Sequence, residues 1–242
     1  MPLIKLDAID STNDFLKQLF KESLVENYTI VMTNEQTKGK GQMGAKWISE
    51  QGKNLTMSVL VKDVQLSNQN IYDFNIAVAL SVIKVLKNIQ IPNIAVKWPN
   101  DIMADSKKVA GILIENILKP DGGFTAIVGI GLNLNQTNFE SLPQASSLKC
   151  ITGKTYEQEE IALLIKNSLE LNRITLNEDS NLLWEEYHEN LYKKDYPSPF
   201  EDKMGNRFMG IIKKVTREGK LEVVLEDDKI THFEVKEVKM LY

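Results

Sequence analysis

Apolar positions Phe15, Leu16, Leu19, Phe20 and Leu24 recur at helical spacing behind Asp10-Ser11, either of which suits a helix N-cap. Tyr28 to Met32 reads as a short strand, and a polar, glycine-rich stretch follows it. Leu55, Met57, Val59 and Val61 alternate with other residues, which predicts a half-buried strand. From about Gln69 to Ile89, Ile71, Phe74, Val78, Val82, Val85, Leu86 and Ile89 fall on one helical face. Ile76, Ala79, Leu80 and Ile83 widen that face, so this segment should be the central buried helix. Ile94 to Lys97 is another strand. Lys108–Leu118 and Phe124–Leu134 flank Pro120-Asp121-Gly122-Gly123, which predicts a β-hairpin. Residues 157–194 read as helical through Ile161, Leu164, Ile165, Leu169, Leu183, Trp184, Tyr187 and Leu191. Tyr196-Pro197-Ser198-Pro199 breaks that pattern. Three short strands around Gly210, Gly219 and the Asp227-Asp228 turn should then form a small β-barrel. The expected architecture is α+β, with one domain over 1–195 and a barrel over 196–242.

Composition narrows the setting. A chain of 242 residues with 43% hydrophobic and 26% charged residues buries an ordinary globular core. A net charge of −4 argues against a nucleic-acid-binding surface, which normally shows as a basic domain. No stretch reaches the roughly 18 consecutive apolar residues of a membrane span, and the N-terminus lacks the apolar segment of a signal peptide. A single cysteine, Cys150, forms no intrachain disulfide, which fits a reducing compartment. These features together predict a cytoplasmic protein.

The chemistry concentrates in three segments. Residues 34–47 carry Gly39, Gly41 and Gly44 with Lys38, Lys40 and Lys46, and end at Trp47. Glycines tolerate positive φ, so such a loop can turn N–H groups toward one anion. Lys97-Trp98-Pro99-Asn100-Asp101 and Lys108-Val109-Ala110-Gly111 follow. Gly39-x-Gly41-x-x-Gly44 formally matches a dinucleotide fingerprint, but no amphipathic helix opens behind it, so that reading is weak. A small phosphate- or carboxylate-bearing ligand fits the cations better.

Taken in order, these segments resemble the biotin protein ligases. In that family a Ser-Thr-Asn opens the first helix, here Ser11-Thr12-Asn13. A Gly-Arg-Gly-rich loop ends in Trp, and Lys-Trp-Pro-Asn-Asp precedes Lys-x-Ala-Gly-Ile-Leu, here Lys108 to Leu113. A Gly-x-Gly-x-Asn strand comes next, here Gly129 to Asn133. The resemblance runs from about Ile9 to Asn135. It implies a mixed sheet flanked by helices, followed by an SH3-like (src-homology-3-like) β-barrel. It also implies two reactions: biotin and ATP give biotinyl-adenylate and pyrophosphate, then a carrier-protein lysine takes the biotinyl group and AMP leaves.

The same resemblance distributes roles. Lys108 matches the lysine that lies against the biotin carboxylate and then the adenylate, and Lys40 and Asp101 join it as catalytic candidates. Ser11, Thr12, Asn13 and Gln36 match positions that hydrogen-bond the ureido ring, whose donors and acceptors both need partners when buried. Gly39, Gly41, Gly111, Gly129 and Gly131 would let backbone approach biotin closely. Lys40, Gln42, Trp47, Asn100, Asp101 and Asn133 fall on the ATP side, with Lys40 and Lys108 also touching biotin and Trp47 matching an aromatic that stacks on adenine. Asp101 would help orient Mg²⁺ on the phosphates. Helix capping by Ser11 and Asn13, a core role for Trp47 and a plain turn at Asn100-Asp101 are the structural alternatives. No permanently bound cofactor is expected.

Three family arginines are missing, replaced by Lys40, Gln42 and Ala45. Lys40 keeps the charge but not the bidentate fork. His188 and His232 sit in no metal or triad-like context, and Cys150 reads as a packed thiol outside the motifs. The alternative enzyme is a lipoate–protein ligase, and the non-enzymatic one a biotin-sensing protein. The expected partner is the biotin carboxyl carrier domain of an acetyl-CoA carboxylase or acyl-CoA carboxylase, with sheet-edge pairing one open mode of docking. Nucleic acid and membrane are not expected partners: ten residues precede Ser11, too few for a winged helix. Homodimerisation is left open. With fewer fixed cations, the loop should release biotinyl-adenylate faster than arginine-loop ligases do, unless Lys38 or Lys46 compensates. A lifetime equal to theirs, measured by filter retention of labelled adenylate, would count against this weakening.

Overall fold

The computed structural model describes residues 2–65, 71–120 and 122–241. Seven strands form the main sheet: β1 (Leu3–Ile9), β2 (Ile30–Gln36), β3 (Leu55–Val64), β4 (Ile94–Lys97), β5 (Asp101–Ala104), β6 (Lys107–Leu118) and β7 (Phe124–Leu132). Their spatial order is β1-β2-β3-β7-β6-β5-β4. Only β1 and β2 run parallel and the remaining pairs are antiparallel, so the sheet is mixed. Five helices pack around it: α1 (Thr12–Glu22), α2 (Ile71–Asn88), α3 (Leu148–Thr152), α4 (Gln158–Glu178) and α5 (Ser180–Glu189). A second, antiparallel sheet contains β8 (Pro197–Asp202), β9 (Arg207–Val215), β10 (Leu221–Leu225), β11 (Ile230–Phe233) and β12 (Val238–Met240). Its order is β11-β10-β9-β8-β12, the five strands of an SH3-like barrel.

The expected elements form, with physical differences at their edges. Ser11 caps α1 by accepting the Asp14 N–H at 3.3 Å, and Leu24 lies beyond the helix, fully exposed. The strand β3 is buried on both faces rather than one. Leu55, Met57, Val59 and Val61 enter the large core with α2, while Leu60 joins Leu16, Val31 and Ile127 beneath α1. Sheets covered on both sides lose simple alternation. The helix α2 buries twelve of its residues, as its wide apolar face predicts; its expected start at Gln69 lies outside the described residues, as does Asp121 of the hairpin turn. The helical stretch 157–194 divides at Asp179, whose carboxylate caps α5, and ends at Glu189.

The second sheet has five strands where three were expected. Pro197 and Pro199 sit within β8, where Ser198 and Phe200 are buried and the proline positions need no ladder donor from their own nitrogen. Gly210 lies inside β9, where a Cβ would meet Val223 at 2.5 Å, so this glycine serves close packing rather than a turn. Phe200, Ile212, Val215, Leu221, Val223 and Met240 belong to the same buried cluster as α2 and α5. The two sheets therefore share one continuous core. Among the described residues, no helix is long and apolar enough to cross a membrane.

Leu80 stands at the centre of that core, 0% exposed on α2. Leu80→Ala should lower stability by about 2–5 kcal/mol through lost burial and a residual cavity, read from the urea midpoint of chemical unfolding.

Candidate active site

Cross-strand register builds the floor of the site. Thr56 on β3, Gly131 on β7, Gly111 on β6 and Asp101 on β5 are direct partners in one row across four strands. One step along, Ser58, Gly129 and Leu113 form a second row. Row partners project to the same face of a sheet, so the glycines leave a trough between polar side chains. The first turn of α1 covers one end and the barrel the other. The resulting cleft measures about 540 Å³ and its lining includes Ser11, Asn13, Lys40, Lys97, Lys108 and Lys239. That volume suits a small organic ligand.

At the α1 end the lining is buried, polar and mostly uncharged. Ser11, Thr12 and Asn13 are each 3% exposed or less, and Ser58 is fully buried. Ser58 Oγ lies 2.7 Å from Thr12 Oγ1 and 2.6 Å from Asn13 Oδ1. The Asn13 amide donates to Glu115 at 2.8 Å, and Gln36 Oε1 accepts the Thr12 N–H at 2.8 Å. A Cβ at Gly129 would come within 2.5 Å of Asn13 Oδ1, so that position stays open for the network itself. Ser58 and Glu115 were not singled out from the sequence. Their signal is polarity inside apolar strands, on the phase facing α1.

The opposite end is cationic. Lys108 Nζ contacts Asp101 at 2.6 Å and lies 5.8 Å from the centre of the Trp47 ring. A β-bulge aims this lysine. Ile102 pairs with Ala110, but Met103 pairs with Lys108, skipping Val109. Strict alternation from Gly111 would send Lys107 into the cleft; the extra residue sends Val109 into the core and Lys108 into the cleft instead. Lys107 is exposed and donates to the Pro143 carbonyl at 2.5 Å. Lys97 joins the cluster, its pKa pushed down to about 8 by burial, with Lys108 and Lys239 adding to the depression and Asp101 opposing it.

The glycine loop differs from the expected cradle of free N–H groups. Gly41 N–H donates to Ala45 O at 2.7 Å, Ala45 N–H to Gln42 O at 3.2 Å, and Trp47 N–H to Gly39 O at 3.0 Å. Those donors are spent on a small hairpin, and of the three glycines only Gly44 has positive φ. Gly39 is needed because a Cβ there would overlap the Trp47 carbonyl. Lys40 contacts Asp14 at 2.6 Å, and Lys38 contacts Asp10 at 2.7 Å outside the cleft lining. Lys46 does line the cleft, so of the two expected substitutes it alone faces the ligand space. Lys236 of the barrel donates to Met43 O at 2.7 Å, tying down the loop tip. Trp47 lies across Gly131 and Gly111, where a Cβ at Gly131 would overlap its ring, and its Nε1 is buried without a partner.

Most of the expected site residues meet in this cleft; Gly39 and Asn133 do not line it. Asn133 is 5% exposed, and its amide donates to the Ser146 carbonyl at 3.0 Å, a structural task. Asn100 lines the cleft while its amide donates to Ile112 O at 2.8 Å. Cys150 is exposed, not packed. His188 and His232 lie outside the lining.

A profile of the Biotin/lipoate A/B protein ligase family matches residues 6–135, more than half of the chain. The chain belongs to this family. It is 33% identical over 135 residues to the bifunctional ligase/repressor BirA of Bacillus spizizenii, a match covering 55% of this chain and 41% of that protein. It is 31% identical over 144 residues to a biotin–[acetyl-CoA-carboxylase] ligase of Mycobacterium tuberculosis, covering 58% and 52% respectively. The matched stretch thus spans about half or less of these curated relatives. Among solved structures, the biotin protein ligase of Aquifex aeolicus in complex with biotin and ATP superposes with a TM-score of 0.80 at 27% identity, covering 99% of this chain and 98% of that one. In this family member the cleft contains both a neutral polar end and a lysine cluster.

The depressed Lys97 sets a pH dependence. Its charge is full below its pKa and is lost as pH rises through about 8. Affinity for a polyanion such as pyrophosphate should therefore fall from about pH 7 to about pH 9. Calorimetric titration should show that decline, and Lys97→Met should flatten it.

Proposed function

We propose that this chain activates biotin with ATP and transfers the biotinyl group to a lysine of a biotin carrier domain. One observation carries the reading: a single cleft joins a buried neutral hydrogen-bonding end to a lysine cluster across a glycine floor. Biotin offers complementary chemistry, with a ureido ring at one end and a carboxylate at the other. Ser11, Thr12 and Asn13 would meet the ureido group, whose donors and acceptors must be satisfied once water is excluded, and Ser58 would hold Thr12 and Asn13 from behind. A lipoate dithiolane offers these hydroxyls and amides neither a donor nor a strong acceptor, whereas a ureido ring offers both, which disfavours the lipoate ligase reading.

In the first step the biotin carboxylate attacks the α-phosphorus of ATP, and pyrophosphate departs. Two anions must approach, so fixed cations are the main requirement. Lys108, held by Asp101, would face the carboxylate and the α-phosphate; Lys97 and Lys239 lie near enough to receive charge building on the leaving group. Trp47 would have to vacate the glycine floor before ligand fills it, and its ring is then available to stack on adenine. In the second step the acceptor lysine, as a neutral amine, attacks the acyl carbon of the mixed anhydride and AMP leaves. Holding both reactants in one cleft supplies much of the rate gain.

Mg²⁺ fits this site only as a companion of the phosphates. Among the described residues no three His, Cys, Asp or Glu side chains gather around a point, whereas Mg²⁺ bound with phosphate needs only one or two carboxylates. Asp101, the carboxylate that contacts Lys108, would hold the ion, which when bound neutralises phosphate charge. Acetyl-CoA carboxylase as the source of the acceptor domain follows from the name of the Mycobacterium relative. The same reading keeps 1–195 as the catalytic region, 196–242 as the barrel, and a cytoplasmic setting.

ATP–pyrophosphate exchange tests the proposal. Exchange should require biotin and should fall by at least about a hundredfold in Lys108→Ala, the scale for losing one charged transition-state contact. Exchange supported by lipoate alone would move the chain to the sister activity. No exchange with either substrate would refute the mechanism.

A further inference from the structure

Behind the cleft, the turn between β9 and β10 fits into the main domain at two points. Arg217 reaches into the junction of α2 and α5, where Nη1 lies 3.1 Å from Asp73 Oδ1 and 3.2 Å from Ser180 Oγ, and Nη2 bonds Asn181. Asp73 is 4% exposed and also accepts the Trp184 indole N–H at 2.6 Å. The guanidinium lies 4.8 Å above the Trp184 ring, so this anchor combines ion pairing, hydrogen bonds and stacking. Two residues on, the Gly219 carbonyl accepts the Trp98 indole N–H at 2.9 Å. Tyr72 lies flush against Gly219, where a Cβ would overlap the ring, and Gly219 has φ +87°. Only glycine adopts that conformation freely while letting the ring come so close.

Trp98 is 8% exposed and stands between Lys97 and the Pro99–Asp101 stretch, all of it cleft lining. Arg217 and Gly219 do not line the cleft. The turn therefore grips the active-site segment from behind. Resting on the proposed ligase reading, we infer that Arg217 and Gly219 are positioning residues of the adenylation step, holding Trp98 and through it Lys97 and Asp101 at the phosphate end. The barrel is then part of the active site's scaffold. The neutral end stands on α1, β3, β6 and β7 and makes no use of the turn. The inference thus separates nucleotide from biotin: disturbing the turn should impair one and spare the other.

Arg217→Met, Arg217→Lys and Gly219→Ala in the full chain test this. Exchange kinetics give KM for ATP and kcat, and calorimetry without ATP gives the biotin Kd. Expected for Arg217→Met and Gly219→Ala are a rise of about tenfold in KM for ATP or an equal fall in kcat, with biotin Kd within about twofold. Arg217→Lys, which keeps charge but loses the fork, should fall between. Folded variants with unchanged ATP kinetics would overturn the inference, and so would equal losses toward ATP and biotin. Should both variants fail to fold, Trp98→Phe removes the indole donor and part of the ring volume while keeping an aromatic there, and unchanged ATP kinetics would overturn it. A wild type without exchange would sink the ligase reading alone. The inference would still be read from amide hydrogen exchange of residues 97–104, expected to quicken in Arg217→Met; equal protection would overturn it.

Discussion

Cross-strand register is the constraint on which this molecule depends. The pairing of β3, β7, β6 and β5 puts Thr56, Gly131, Gly111 and Asp101 in one line. A slip of one residue in any of these strands would exchange its core face for its cleft face. Large apolar side chains on the far face lock the register by packing under α2, and the same lock aligns the glycines. The energetic demand of the core thus fixes the geometry of the site. Between β5 and β6 the pattern is broken, and there the bulge brings Lys108 rather than Lys107 to face Asp101.

Two electrostatic environments share the resulting trough. Near α1 the buried groups are hydroxyls and amides closed into a network, with Glu115 tied to Asn13 and Lys17 at its margin. Buried polar atoms are tolerated there because nearly all are paired. Near β5 the protein instead gathers Lys97, Lys108 and Lys239 in the cleft, and Lys97, chiefly through burial and also through its two lysine neighbours, holds its proton less tightly. Such a cluster is costly without an anion and favourable with one. That stored cost is a reason to read the cluster as functional rather than as a solvated surface.

The glycine loop and the barrel meet these environments from outside the sheet. Lys38 and Lys40 are drawn toward α1 by Asp10 and Asp14, and Lys236 holds the Met43 carbonyl at the loop tip. The loop so pinned keeps Trp47 over the glycine floor with its indole nitrogen unpaired. An unpaired buried donor disfavours this arrangement once a ligand offers an alternative. The barrel has no core of its own, since its buried residues join that of α2 and α5. Its position relative to the cleft is therefore set by packing.

The sequence by itself determined the main elements, because they depend on short-range patterns: the apolar face of α2, the Pro120–Gly123 turn, the Ser11 cap. It also pointed to most of the candidate site, because Ser11, Lys40, Trp47, Asp101, Lys108 and Gly131 stand in ordered motifs. What it left undecided depends on partners distant in the chain. Ser58 and Glu115 acquire meaning only when α1 lies over them, Asn133 is turned to Ser146, and the Gly41, Ala45 and Trp47 N–H groups are consumed by the loop's own hairpin. The two-sided burial of β3 required knowing that α1 and α2 cover opposite faces. Most of all, the aim of Lys108 rests on one extra residue between β5 and β6, and the grip on Trp98 on a turn some 120 residues away. Periodicity is local and can be read along a chain; bulges, register and docking are settled by the whole core at once, and only the tertiary structure holds them.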